Sequence, residues 1–491
     1  MCSIRPSSRI YTNLSAAFNL LEVMTGMIKG AEIMRNQITC TSPVLVTAVV
    51  AALAVLTTSA SGQSLNEYAK LLASDGSGGD WFGGSVAIDN GIVAAGAPMD
   101  DDNNFSGSAY LFDADTGLEQ FKLLPLDGSS GDQFGGSVAL DSGITAVGSP
   151  FDDDNGADSG SVYLFDVATG TQIVKLLPGI GGAGNLFGSS VAIDSGIVAV
   201  GAPFDDDNGA DSGSVYLFDA GTGTQSFKLV PIDGGAGDLF GSSVAIDSGV
   251  VAVGAPIDDD NGVGSGSVYL FDAATGVQIA KLLSVDGEPG DQFGTSVAIG
   301  DGVVASGAIL DDDNGIDSGS VYLFDAASPF GQIDKLFPDD GAAGDQFGVS
   351  TAIGSGALIA GAWSDDENGI GSGSAYYFQL SSGTLIGKML PTDGASNDSF
   401  AGSISIDDSG FIAAGSRLDD DNGPDSGSAY VFDVFCPMDL NGDFALDFFD
   451  VMSFLSMFSL GHEYADWNGD GHFNIFDVIL YLIDFNSGCL P

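Results

Sequence analysis

Basic residues are scarce in this chain of 491 residues: 12 Lys and Arg stand against 67 Asp and Glu, which gives a formal net charge of −55. Binding to nucleic acid requires clustered Lys and Arg, so this composition argues against a nucleic-acid partner. It argues against an anionic membrane surface for the same reason. Cations, or ligands bridged by cations, are the natural counterparts of such a charge.

Histidine and cysteine are also rare. The two histidines are His462 and His472, and residues 64–434 contain neither histidine nor cysteine. Ser–His and Cys–His catalysis are therefore excluded from that region. A carboxylate pair, as in a glycosidase, remains conceivable because Asp is abundant. However, each Asp recurs at a fixed period, which suits a structural or metal-binding role, and we predict that the protein is not an enzyme.

The N-terminal part has the pattern of a secretory signal. Residues 34–62 combine a short basic start, an apolar run over 44–56 and small residues around Ala60. This pattern predicts a signal peptide that is cleaved near Ala60, after which no membrane span remains. A retained membrane anchor is the alternative. We interpret residues 1–33 as an over-called extension, with translation beginning at Met34.

Four signatures recur with a period of about 53 residues, and no segment before residue 440 has a helical period. They are Phe-Gly, Gly-Ala-Pro, Ser-Gly-Ser-(Val/Ala)-Tyr, and a Lys within an apolar strand. The β-branched and aromatic runs, separated by Gly-rich turns, predict four short strands per unit. In the second unit these are expected near Ser137–Leu140, Ile144–Pro150, Ser161–Asp166 and Gln172–Leu177. Four strands per unit at this period predict a β-propeller.

The order of the signatures predicts how the ring closes. A Lys strand at Tyr68–Leu72 precedes the first Phe-Gly, and none follows the seventh Ser-Gly-Ser. The N-terminal strand should therefore complete the last blade, which removes an exposed sheet edge. The sequence thus predicts an all-β, seven-bladed β-propeller over residues 64–434, followed by a small α-helical calcium-loop domain over 436–491.

The seven units resemble FG-GAP repeats, which form the head of integrin alpha chains and many bacterial surface proteins. The resemblance implies extracellular placement, calcium loops and ligand binding on one face. The calcium loop of the family lies between the Phe-Gly and Gly-Ala-Pro strands. Here that connection is a tight turn, such as Asp194-Ser195-Gly196, which is too short to enclose an ion.

Acidic residues accumulate instead after Gly-Ala-Pro, in runs such as Asp-Asp-Asp-Asn-Gly. Calcium takes several hard oxygens from a flexible loop, and crowded carboxylates without a cation repel each other. Blades one, four and six lack the later Asp, so weaker or absent sites are expected there. A merely solvated acidic loop is the alternative. The predicted calcium ligands are Asp152, Asp154, Asp158, Asp205, Asp207, Asp211, Asp311, Asp313, Asp317, Asp419, Asp421 and Asp425.

The C-terminal segment contains two near-copies of a twelve-residue loop, at 439–450 and 466–477. Oxygen-bearing side chains recur at loop positions 1, 3, 5, 9 and 12, as in EF-hand loops, and an apolar stretch of helical length follows each copy. The segment therefore resembles a type I dockerin, which implies Ca²⁺ and a cohesin-type partner. The expected calcium ligands are Asp439, Asn441, Asp443, Asp447, Asp450, Asp466, Asn468, Asp470, Asn474 and Asp477.

This segment departs from the dockerin pattern in two respects. Phe444 occupies loop position 6, where Gly is usual, so the first loop should bind calcium more weakly. Positions 10 and 11, which help select the cohesin partner of a dockerin, are apolar here. This apolar face is expected either to pack within the domain or to contact a different surface partner. Cys436 and Cys489 flank the segment and predict a disulfide in a secreted protein, with two free thiols as the alternative.

Together these features predict a secreted or cell-surface, calcium-dependent binding or adhesion protein. A propeller face would bind an extracellular protein or polysaccharide, and the C-terminal domain would provide attachment. Two alternatives remain open. One is a carbohydrate-active hydrolase or lyase on a propeller scaffold, and the other is a structural component of a surface assembly.

Overall fold

The structure is a computed structural model. It describes residues 65–101 and 105–433, together with 440, 448–460, 462, 465–467, 472–474 and 477–482 of the C-terminal segment. The N-terminal extension, the signal peptide and the Cys436–Cys489 disulfide lie outside the described residues and stay predictions.

Residues 66–433 form seven four-stranded antiparallel sheets, or blades. Blade 1 comprises β2 (Ser85–Asp89), β3 (Ile92–Ala97), β4 (Ser108–Asp113) and β5 (Leu118–Leu123). Blade 2 comprises β6 (Ser137–Asp141), β7 (Ile144–Ser149), β8 (Ser161–Asp166) and β9 (Thr171–Leu176). Blade 3 comprises β10 (Ser190–Asp194), β11 (Ile197–Ala202), β12 (Ser214–Asp219) and β13 (Thr224–Leu229). Blade 4 comprises β14 (Ser243–Asp247), β15 (Val250–Ala255), β16 (Ser267–Asp272) and β17 (Val277–Leu282).

The remaining blades repeat this plan. Blade 5 comprises β18 (Phe293–Gly300), β19 (Val303–Ala308), β20 (Ser320–Asp325) and β21 (Gln332–Leu336). Blade 6 comprises β22 (Thr351–Gly354), β23 (Ala357–Ala362), β24 (Ser374–Gln379) and β25 (Thr384–Met389). Blade 7 comprises β26 (Ser403–Ile406), β27 (Phe411–Ser416), β28 (Ser428–Asp433) and β1 (Asn66–Leu71).

The blades form a closed ring. The first strands of successive blades contact each other in cyclic order, and β26 of blade 7 contacts β2 of blade 1. Each apolar cluster lies between two neighbouring blades, so both faces of every sheet are buried. Small residues such as Ala199 fill the inner strands and bulky ones such as Tyr216 fill the third strands, which matches the taper of a blade. The predicted seven-bladed propeller is confirmed.

The closure of the ring is also confirmed. Strand β1 pairs antiparallel with β28, and Lys70 and Leu71 stand opposite Tyr430 and Ala429. Leu71 is fully buried in the cluster between blades 7 and 1. The N-terminal strand therefore covers what would otherwise be an exposed edge of the last blade.

The Phe-Gly and Ser-Gly-Ser signatures join neighbouring blades. Gly213 of blade 3 forms a parallel bridge with Phe240, which leads into blade 4. Gly213 has φ 82°, and a side-chain carbon there would overlap the carbonyl oxygen of Phe240. Phe240 is fully buried and packs edge-to-face on Tyr269 and Phe271. Glycine is therefore required for the close approach of the two backbones.

The antiparallel order of the strands separates two faces of the ring. The loops between second and third strands lie at the same end of the blades as the connections from one blade to the next, and we call this end the loop face. The tight turns between first and second strands, and between third and fourth strands, lie at the opposite end, the hairpin face. All seven acidic runs belong to the loop face.

The described part of the C-terminal segment is helical. Helix α1 runs over Phe448–Leu460, and residues 477–482 are also helical. Phe454 of α1 stacks on Tyr481 at a ring-centre distance of 4.0 Å, and Trp467 packs edge-on against both rings. A small helical addition to the propeller was predicted, and the structure agrees with it.

Candidate functional site

The acidic run of each blade closes around the lysine of that blade's outermost strand. In blade 2, Nζ of Lys175 lies 2.9 Å from Asp152, 2.5 Å from Asp154 and 3.1 Å from Asp127. Asp152 and Asp154 belong to the loop between β7 and β8, and Asp127 belongs to the connection that enters the blade. One ammonium group therefore joins both kinds of segment on the loop face.

The same cluster, which we call the lysine cluster, recurs in all seven blades. Each has a buried aspartate at the first position of the acidic run and exposed carboxylates around it. In blade 3, Ile180 replaces the aspartate of the connection. The lysines and their buried partners are Lys70 with Asp419, Lys122 with Asp100, Lys175 with Asp152, Lys228 with Asp205, Lys281 with Asp258, Lys335 with Asp311, and Lys388 with Asp365.

A tyrosine from the third strand completes each cluster. The hydroxyl of Tyr163 lies 2.8 Å from a carboxylate oxygen of Asp152 and 2.9 Å from one of Asp127, and its single hydrogen is shared between these two acceptors. The ammonium of Lys175 lies 4.9 Å from the centre of the Tyr163 ring, within cation–π distance. The tyrosine of the Ser-Gly-Ser signature thus holds the lysine and the buried carboxylate together.

The charges within a cluster stabilise each other. Burial alone raises the pKa of Asp152, but hydrogen bonds from Lys175, the Asp154 amide and Tyr163 outweigh burial and hold it below its ordinary value. Burial alone lowers the pKa of Lys175, but the three carboxylates outweigh burial and raise it. Both shifts favour the charged pair, and burial together with Asp152 raises the pKa of Tyr163, which keeps its hydroxyl protonated.

The predicted calcium ligands of the propeller are thus only partly brought together. Asp152 and Asp154 share the lysine cluster, as do their counterparts, whereas Asp158 contributes its backbone amide to Asp153. Among the described residues, no group of three or more His, Cys, Asp or Glu side chains has the arrangement of a metal site. The lysine ammonium is in direct contact with these carboxylates, and calcium in these loops stays a prediction.

Replacing the lysine of one cluster tests whether its ammonium group neutralises the carboxylates of that cluster. Lys175→Met leaves Asp152 buried, with a side chain only 3% exposed, and without its counter-ion. We expect a loss of about 3 kcal/mol in the free energy of unfolding, as for other broken buried pairs. Thermal or denaturant unfolding of the full chain measures it. Asp154→Asn, at an exposed partner, should cost less than about 1 kcal/mol.

The same variant tests calcium in the loops. If added Ca²⁺ restores the stability of Lys175→Met, the three carboxylates can hold calcium once the ammonium is removed. A second variant keeps Lys175 but has both C-terminal loops disabled. If this variant still binds Ca²⁺, the acidic loops of the propeller bind the ion in the presence of the lysine.

In six of the seven blades, a second aspartate is buried on the loop face without a lysine partner. Asp132 precedes Phe-Gly by two residues, is 4% exposed and accepts the amide hydrogen of Ser129. Burial raises its pKa to about 6. Blade 3 has Asn185 at the equivalent position, which shows that the fold accepts a neutral amide there.

Asp132→Asn should therefore stabilise the protein in a pH-dependent way. The folded-state pKa is above the unfolded value of about 3.9, so the folded form binds more protons and stability falls as the pH rises through about 4 to 6. The variant should unfold like wild type at pH 4 and be more stable by about 1–2 kcal/mol at pH 7.5. Asn185→Asp should show the opposite trend. If Asp132→Asn differed from wild type in stability by the same amount at pH 4 and at pH 7.5, the raised pKa of Asp132 would be contradicted.

The axis of the ring opens on the loop face into a cavity of about 230 Å³. Its lining comes from blades 1, 2, 3 and 7, which places it where the blades converge. Trp81, Gln133 and Leu186, the residues before Phe-Gly, have φ between 51° and 58°. This left-handed conformation costs roughly 1 kcal/mol for a side-chain-bearing residue. The three side chains line the cavity together with Pro98, Gly84, Gly136, Pro150, Phe151, Ser189 and Arg417.

In the C-terminal segment, the two position-12 aspartates are both buried at the start of a helix. Asp450 lies in the first turn of α1 and accepts the amide hydrogen of Leu440, while Asp477 begins the second helix and accepts that of Asn474. Both aspartates are fully buried. Two buried carboxylates in an all-oxygen donor set fit a calcium ion, which would neutralise them. Of the other predicted ligands, Asp466 and Asn474 are described; Asp439, Asn441, Asp443, Asp447, Asn468 and Asp470 lie outside the described residues.

Comparison with known families identifies the repeats. The FG-GAP repeat family matches seven stretches, residues 65–112, 118–165, 171–218, 224–271, 277–324, 330–378 and 384–432. The chain belongs to the FG-GAP repeat family. Each match begins with or near a lysine strand and ends in the following third strand, so the family repeat is offset from the blade by one strand. No curated protein matches the chain.

The FG-GAP propeller contains two functional features that sequence reasoning did not assemble. The lysine strand and the acidic run were both recognised, but their contact was not, although the lysine follows the buried aspartate by 22 to 24 residues in blades 1 to 6. The sequence pattern also does not show that Arg417, at the third position of the Gly-Ala-Pro signature in blade 7, lies beside Trp81 and Trp363. A single arginine in the propeller was the available signal.

Proposed function

We propose that this FG-GAP propeller is a secreted, non-enzymatic binding protein that holds an extracellular protein or polysaccharide on its loop face. The family fold supports a ligand-binding or adhesion scaffold, and FG-GAP repeats are typical of extracellular proteins. Among the described residues, no helix combines the length and hydropathy needed to cross a bilayer. In this proposal, calcium acts in the dockerin-like C-terminal domain, which attaches the propeller to a cohesin-like or other surface partner.

The observation that carries the binding role is the distribution of exposed aliphatic side chains. Among the described propeller residues, seven large aliphatic side chains are more than 70% exposed, and all seven lie on the loop face. Concentrated exposed apolar residues beside charged groups are typical of interaction surfaces. They are Leu126, Ile180, Ile232, Val263, Val285, Ile316 and Ile370.

The alternatives receive less support. A glycosidase needs one carboxylate pair with free lone pairs and a perturbed environment. The buried aspartates of the loop face instead recur in every blade and are held by lysine and tyrosine. A purely structural component of an assembly would not need the exposed aliphatic residues, and the experiment below separates it from a binding protein.

The test is a search for ligands on glycan and extracellular-protein arrays, with and without a calcium chelator. The matched variant is Val263→Ala, Ile316→Ala and Ile370→Ala together, because Ala157 and Ala210 occupy the same position in blades 2 and 3. It should lose ligand capture and keep its unfolding temperature. Leu118→Ala with Val277→Ala, on outer strands, is the control and should bind normally. Unchanged capture by the triple variant would refute binding through the loop face.

A further inference from the structure

Arg417 differs from every other basic residue of the propeller. It is the only arginine beyond residue 35 and occupies the third position of the Gly-Ala-Pro signature. All seven propeller lysines are ion-paired. Arg417, by contrast, makes no ion pair or hydrogen bond with any residue that the structure describes. The other blades have Pro98, Pro150, Pro203, Pro256, Ile309 and Trp363 at this position.

The guanidinium group lies between two tryptophans. Its central carbon is 5.1 Å from the ring centre of Trp363 and 5.8 Å from that of Trp81. The Nε atom is buried and has no hydrogen-bond partner, and burial lowers the pKa of the group. Stacking on the tryptophans offsets part of the cost of burying the charge but uses none of its N–H donors. In a chain with 67 acidic residues, an unpaired, half-buried arginine therefore needs a reason.

The cavity beside Arg417 combines apolar walls with a few polar groups. Its walls are largely apolar, with Trp81, Pro150 and Leu186 among them, and its polar groups include the amide of Gln133 and the guanidinium. Mostly apolar cavities with a few placed polar groups are typical of such sites. A guanidinium presents planar, paired donors that match the two oxygens of a carboxylate.

We propose that this axial cavity binds a single carboxylate group on a small ligand, with Arg417 as its counter-ion. The inference deepens the binding role proposed for the loop face and rests on it. A uronic acid ring and a short amino-acid-like chain are two sources of the same chemistry. The ring or the chain would contact the apolar walls of the cavity, and the carboxylate would face the guanidinium of Arg417.

The charges around the cavity restrict the ligand to one carboxylate. In blade 2, Phe151 lines the cavity and Asp152 follows it at once, but Asp152 turns outward to the lysine of the outermost strand. Every lysine cluster carries more carboxylates than ammonium groups, so the surrounding ring is acidic. A polyanion would have to cross the ring and is disfavoured.

The experiment follows the indole N–H signals of the full chain by NMR, with ¹⁵N-labelled tryptophan. The chain has three tryptophans: Trp81 lines the cavity, Trp363 lies against the guanidinium of Arg417, and Trp467 in the C-terminal domain is an internal control. Glucuronate and succinamate are the two carboxylate probes, and glucose and succinamide are their neutral counterparts. We expect at least one carboxylate probe to shift the two cavity signals in a saturable way, while the neutral probes and the Trp467 signal show no change.

Arg417→Ile is the matched variant, because blade 5 already has Ile309 at this position. It should weaken carboxylate binding at least tenfold, and Arg417→Lys, which keeps the charge but loses the paired donors, should weaken it less. Equal binding of neutral probes, unchanged affinity in Arg417→Ile, or no saturable shift with either carboxylate would overturn the proposal. Ligand capture on the arrays is a separate measurement. A failure there would refute the proposed function, whereas the NMR titration alone decides whether the cavity binds a carboxylate.

Discussion

A chain that begins at Ser74 instead of Leu65 is expected to lose a large part of the stability of the propeller. Removing β1 deletes Leu71, which is fully buried between blades 7 and 1. Truncating a buried leucine to alanine alone costs about 2–5 kcal/mol. It also deletes Lys70, which pairs with the buried Asp419 at 3.1 Å, and loss of such a partner costs about 3–5 kcal/mol. The combined loss approaches the total stability of a typical protein, about 5–15 kcal/mol.

The truncated chain should therefore melt of the order of 10 °C lower, if it folds at all. Strand β28 would become an exposed edge, so size-exclusion chromatography should also show association. Circular dichroism during heating measures the first effect, with the chain that begins at Leu65 as the control. Equal melting temperatures and a monomeric truncated chain would show that β1 does not close the ring.

The fold was largely predictable because its determinants are local and repeated. In blade 2 the expected strands agree with β6 to β9 to within one residue. Gly-containing turns and β-branched runs specify each strand, and the missing eighth lysine strand specifies the closure. Because the pattern occurs seven times, it remains recognisable when one copy departs from it, as where Ala401 replaces the glycine of Phe-Gly.

The site was less predictable because its contacts join segments that are distant in the chain. Asp127 and Lys175 are 48 residues apart and meet only because a blade places its entering connection beside its last strand. The sequence showed that the acidic runs need a cation but not which cation is closest. Arg417 was harder still, since a unique residue has no repeat to reveal its role, and its environment comes from blades 1, 6 and 7.

Asp477→Asn is expected to abolish calcium binding by the second C-terminal loop. Position 12 supplies the ligand that closes an EF-hand loop, and here its carboxylate is fully buried at the start of a helix. A calcium ion would balance the negative charge of these buried carboxylates, and burying a charged carboxylate is otherwise unfavourable. Calcium at about 100 times the dissociation constant should stabilise the domain by about 2.7 kcal/mol per site.

Titration calorimetry of the chelator-treated full chain should therefore show two calcium equivalents in wild type. Asp477→Asn and Asp450→Asn should each remove one of them, and the exposed Asp408→Asn should remove none. The indole signal of Trp467 should move on calcium addition, because its ring packs against Tyr481, which follows Asp477 by one helical turn. Each position-12 substitution removes one calcium equivalent only if the ion binds to the buried carboxylate at that position. Two equivalents retained by the double variant would show that calcium binds elsewhere, and a wild-type chain that binds none would show that the buried aspartates have a structural role without calcium.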